Sequence, residues 1–233
     1  MKQTFFLFYL ACFCSFMLNS CRPAAKEVHE VTMGGVTIQN GDLLFVGIPV
    51  DYQLTDTASM DNAITSATGQ DGEVNYIHVA ILEVDENDSL WVIDATIKHG
   101  VDRYPFSEFT SDFTLKDGSL PVLEVKRLKD NEKADSYVEK AKSYLGRGYD
   151  VYFSPDNEEQ YCSELVRNAY TTSTGTYIFS EAPMNFKASD GTMPPYWEQL
   201  FGSLGVPVPQ GVLGTNPKDM SQESCLKLVG QIH

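Results

Sequence analysis

Basic side chains are scarce in this chain. Its 233 residues carry 17 Lys and Arg against 32 Asp and Glu, a formal net charge of −15. That is the wrong sign for holding DNA or RNA through phosphate contacts, so no nucleic acid is expected as a partner. The same excess argues against docking on anionic lipid by charge. Two motifs are also missing: there is no G-x-x-x-x-G-K-[ST] phosphate loop and no H-E-x-x-H zinc helix. No two cysteines form a C-x-x-C pair, which removes the usual cysteine-spaced zinc site. No metal or cofactor is expected. What is present is a hydrophobic content of 42%, enough for a sizeable core.

The apolar residues begin at once. Lys2 precedes the run Phe5 to Leu18, the size of a signal-peptide core. As a helix it would cover roughly 21 Å of a hydrocarbon layer about 30 Å thick, so a permanent span is disfavoured. The run leads into Leu18-Asn19-Ser20-Cys21, which resembles a bacterial lipobox. The resemblance implies that residues 1–20 are removed and that Cys21 carries lipid; an uncleaved or ordinary secretory segment is the alternative. Cys12 and Cys14 would leave with the signal, so Cys162 and Cys225 would remain as thiols. A bridge between those two is disfavoured, because Cys225 sits in a C-terminal tail and Cys162 at a helix start.

Residues 22–40, with Pro23 and Gly34-Gly35, read as a tether, and the folded part is expected from Gly41. Leu43 to Val46 suits a buried strand, and residues 57–68 suit a short helix closed by Gly69 and Gly72. His78 to Leu82 and Leu90 to Ala95 read as the arms of a hairpin across Asp85 to Asp88, with His78 opening its strand. Pro121 to Leu128 adds a strand. Ala134, Val138, Ala141 and Leu145 mark a helix that Asp130 and Gly146 would cap. Leu165, Val166, Ala169 and Tyr170 mark another that Cys162 opens, and a short helix is expected near Tyr196 to Phe201. This is an α+β pattern.

Cys162 has a setting suited to chemistry. The unpaired N–H groups of a first helical turn favour a thiolate and can bind an oxyanion. A cysteine nucleophile also needs a base and a group to orient it. Of the four histidines, His233 is terminal, His29 lies in the tether and His99 in a polar turn, which leaves His78. The hairpin could bring Asp94 beside it. From residue chemistry alone each has a plainer reading: a packed cysteine, a polar strand-edge histidine and a turn-closing aspartate. Trp91 and Trp197 read as core or pocket-wall residues, and Glu164 as a carboxylate favoured by the helix dipole or as a binder of a substrate amine.

The ordered set Gly41-Asp42-Leu43-Leu44-Phe45, Tyr76-Ile77-His78-Val79-Ala80, Val92-Ile93-Asp94-Ala95, Gly148-Tyr149-Asp150 and Tyr161-Cys162-Ser163-Glu164, with Asn216-Pro217 near the end, resembles the YiiX/YebB family. These are permuted papain-like cysteine hydrolases related to the NlpC cell-wall peptidases. The resemblance implies a permuted papain-like (NlpC-like) domain over residues 41–233, with a central antiparallel sheet and packed helices. It implies Cys162 as nucleophile, His78 as base and acid, Asp94 as the orienting group and Tyr149 beside the nucleophile. The expected activity is cleavage of an amide in a small peptide or amino-acid amide. The substrate could instead be a lipid or other acyl ester, or the chain could be a binding protein without turnover. With residues 21–40 as lipidated N-terminus and tether, the expected location is the bacterial cell envelope, on the periplasmic or outer-membrane face.

Overall fold

The computed structural model describes residues 28–50, 52, 54, 59–68 and 74–233. The signal segment, Cys21, Gly69 and Gly72 lie outside the described residues. The chain runs through β1 (Glu30–Met33), β2 (Val36–Gln39), β3 (Asp42–Pro49), α1 (Met60–Thr68), β4 (Val74–Val84), β5 (Leu90–Thr96), β6 (Gly100–Pro105), α2 (Phe106–Asp112), β7 (Val122–Leu128) and α3 (Ala134–Lys142). It continues through α4 (Cys162–Ala169), β8 (Ala182–Pro183), α5 (Pro195–Leu204), β9 (Leu213–Gly214), α6 (Pro217–Ser221) and β10 (Leu226–Ile232).

An antiparallel sheet in the order β10-β7-β3-β4-β5-β6 forms the frame, which makes the domain α+β as expected. β3 lies inside the sheet, and its Leu43 to Val46 are fully buried, because both faces are covered. Leu43, Phe45, Val79 and Ile81 face α3 and α4, whose Val138, Ala141, Leu165 and Val166 complete that core. Leu44, Val46, Ala80 and Leu82 face the other way, toward Ile38, Phe106 and Phe109.

Residues 30–39 correct the tether expectation. Val36 and Ile38 point inward and alternate with outward Thr37, so β1 and β2 form a hairpin that packs on the sheet. Gly34 and Gly35 make its turn at φ 55° and 80°, values that glycine adopts without strain. The folded part therefore includes Glu30 to Gln39, and the two-residue alternation outweighs the polar composition. Gly41 (φ +77°) is a second required glycine: a Cβ there would stand 2.9 Å from the Cβ of Ala134, at the head of α3. That helix ends at Lys142, and no side chain caps its start, so Asp130 and Gly146 do not bound it as expected.

Candidate active site

His78 lies in the middle of β4, not at its start as expected. The β4–β5 ladder runs from the Val84–Leu90 pair to the Ile81–Ile93 pair and stops. Beyond that point the strands part, with His78 and Asp94 as diagonal neighbours on one face, within reach of longer side chains. His78 Nε2 and Asp94 Oδ2 are 2.8 Å apart. Asp94 is fully buried, and its other oxygen accepts a hydrogen bond from the Tyr104 hydroxyl at 2.8 Å. Nothing in the sequence singles out Tyr104, on β6, which stands between Arg103 and Pro105.

α4 packs against β4 and β5 where they separate, and Cys162 is its first residue. With Nε2 turned to Asp94, the other ring nitrogen of His78 is left for the sulfur. Cys162 acts on the ring first as a charge and also as a hydrogen-bond partner. Burial by itself pushes the His78 pKa down. The Cys162 and Asp94 contacts outweigh it, and the imidazole is held above its usual range.

Tyr161, just before Cys162, anchors the wall around the sulfur. Its hydroxyl accepts the Thr215 N–H at 3.0 Å, and the Thr215 hydroxyl donates to Ser163 at 2.9 Å. Asp150 shapes the opposite wall by accepting from the N–H groups of Tyr152 (2.9 Å) and Ser154 (2.8 Å) and from the Asn157 side chain (2.9 Å). This loop turns Phe153 to φ 49° and inserts it among Phe186, Trp197 and Phe201. Phe153 and Phe186 meet Trp197 edge to face at 5.6 and 5.1 Å, a favoured aromatic geometry.

Between these walls and α1 lies a cavity of about 200 Å³, bordered by Cys162, Tyr149, Phe153, Phe186 and Trp197. Tyr149 borders the same cavity as Cys162. Its hydroxyl is raised well above the usual phenol range by burial and then by the charge at Cys162, and it reaches Met60 Sδ at 4.0 Å. Glu164 is not among the residues bordering the cavity. It turns back to accept the Tyr161 N–H at 3.3 Å. Burial first and Asp150 second push its carboxyl up to about 8, against the pull of that N–H and Arg167.

Cys162 and Cys225 are both free thiols. Among the described residues, no three His, Cys, Asp or Glu come together as a metal site.

No curated protein matches the chain. Among solved structures, it is similar to the crystal structure described as metalloprotein YiiX from Escherichia coli O157:H7. The identity is 23%, the TM-score is 0.61, and the match covers 82% of this chain and 96% of that one; at that identity the likeness speaks for the fold. The profile of the permuted papain-like amidase enzyme family, YaeF/YiiX, C92, matches residues 37–230. With His78 preceding Cys162 in sequence and meeting it in space, the chain belongs to the permuted papain-like amidases, a family of cysteine peptidases and amidases.

Proposed function

We propose that the chain hydrolyses an amide through a thioester on Cys162. The observation that carries this reading is the buried chain Cys162–His78–Asp94 with its sulfur opening on a cavity. The sulfur attacks the carbonyl carbon, and the oxygen takes up the electron pair. As the first helical residue, Cys162 has an N–H without an intrahelical acceptor, and this N–H meets the oxyanion. Tyr149 is the second candidate donor. The imidazolium gives its proton to the leaving nitrogen as the carbon–nitrogen bond breaks. His78 then takes a proton from the water that hydrolyses the thioester.

The aromatic lining supports a substrate whose acyl part is apolar: a peptide, amino-acid amide or acyl amide with a hydrophobic group beside the scissile carbonyl. The same lining favours an acyl ester as the second reading. The test common to both is alkylation by iodoacetamide. The thiolate is the form that reacts, and His78 is the partner that favours it. Cys162 is expected to react quickly near neutral pH, and His78→Ala should slow it by at least about ten-fold. Equal rates in the two proteins would sink the pairing.

The apolar run before Leu18-Asn19-Ser20-Cys21 supports a lipid anchor on Cys21 that holds the enzyme in the cell envelope. Cells fed a radioactive fatty acid should label the protein and should fail to label Cys21→Ala. Equal labelling of the two would remove the anchor from the proposal.

A further inference from the structure

A second cavity, of about 390 Å³, lies across Ile77 from the first, and Ile77 borders both. The two also share α1. That helix presents Ile64, Ala67 and Thr68 to the first cavity and Asp61, near its start, to the second. Met60, at its head, touches the Tyr149 hydroxyl, so α1 borders both spaces and reaches the tyrosine that lines the first beside Cys162. His78 stands one side chain behind the second: its ring packs on Phe113 at 4.7 Å, and Phe113 and the cross-strand partner Val46 line that cavity.

Asp61 makes no hydrogen bond or ion pair among the described residues. It is open to solvent, yet enough protein surrounds it for burial to push its carboxyl pKa up, against the pull of His78 and Lys116. Asp112, the cavity's other acid, is already held by Lys98 at 2.7 Å and His99 at 2.8 Å. Lys116 is exposed, and its long stem lets the ammonium turn to water.

Acyl transfer assigns the two spaces different tasks. His78 must hand its proton to the leaving nitrogen, so the leaving group departs on the imidazole side while the acyl group stays on the sulfur side. We propose that the second cavity is the leaving-group site and that Asp61 there selects a leaving amine carrying a further cationic amine. This inference rests on the amidase reading above. An ammonium beside Asp61 supplies the charged hydrogen bond that the carboxylate lacks, and the acidic molecule attracts such a substrate from solution.

The test uses octanoyl amides of three leaving amines similar in length: pentylamine, cadaverine and aminovalerate. The kcat/KM for the cadaverine amide should exceed that for the pentylamine amide by about ten-fold, with the aminovalerate amide slowest. The cadaverine-to-pentylamine ratio should fall to near one in Asp61→Asn, and Asp61→Lys should reverse the order in favour of aminovalerate. Molar salt should shrink the preference in the unaltered protein. Equal rates for all three amides, or a cadaverine preference that survives both substitutions, would overturn the leaving-group assignment and leave the amidase reading standing. Failure to hydrolyse any of the three would overturn both.

Discussion

Cys162→Ala should abolish amide hydrolysis, with a fall in kcat of at least about 10⁴-fold. The size of the loss follows from what stands beside the sulfur. Ser163, the adjacent hydroxyl, is fully buried and bonded to Thr215 Oγ1 at 2.9 Å, so it cannot take over the attack. Asp94→Asn should cost on the order of 10²–10⁴, because an amide that donates to the ring holds the wrong tautomer. The Tyr104 hydroxyl, also a donor to Asp94, would then face an altered partner. The checks are steady-state rates on any accepted amide and mass spectrometry of an acylated protein. The adduct should appear on the unaltered chain and be absent from Cys162→Ala. Retention of more than about 1% of the activity in Cys162→Ala would move the nucleophile elsewhere.

The largest expected loss of stability lies far from the sulfur. Asp42 is fully buried and accepts from Arg127 Nε at 2.6 Å, Arg127 Nη2 at 2.8 Å and the Gln39 N–H at 2.8 Å. Arg127 continues to the Thr37 carbonyl at 2.9 Å, so one ion pair ties β2, β3 and β7 together. Asp42→Ala should cost about 3–5 kcal/mol in urea unfolding, since it leaves Arg127 with no counter-charge. The pair is not for that reason a net source of stability. Burial pushes the Asp42 carboxyl up more strongly than Arg127 and the Gln39 N–H draw it down. Asp42→Leu combined with Arg127→Met should therefore recover most of the loss. A cost under about 1 kcal/mol for Asp42→Ala would mean that water reaches the pair.

These two predictions differ in how much of their basis the sequence discloses. The β4–β5 hairpin is legible because two apolar arms flank the acidic turn at Asp85 to Asp88, and antiparallel register follows from such local chemistry. It puts His78 and Asp94 on one element before any tertiary contact is known. The start of α4 is legible from its helical spacing. The approach of Cys162 to His78 is not, since periodicity says nothing about which helix packs against which strand; only the family resemblance supplies it. Tyr104 stays hidden because a tyrosine between an arginine and a proline looks like any surface residue. Asp42 reads as a turn former beside Gly41, and its burial depends on Arg127, which is remote in sequence. Glu164 is legible only in part for a related reason: its place in the first turn is plain, but its bond to the Tyr161 N–H is not.

The parting of β4 and β5 has a consequence for the growing polypeptide. The imidazole and the carboxylate that steers it are separated by 16 residues, so their meeting needs only one hairpin, a short and fast closure. The sulfur arrives with a much later segment, after the sheet's inner strands have been made. On the mechanism proposed above, synthesis in that direction keeps the thiol apart from its activator until most of the chain exists, and an incomplete product holds a base with nothing to deprotonate.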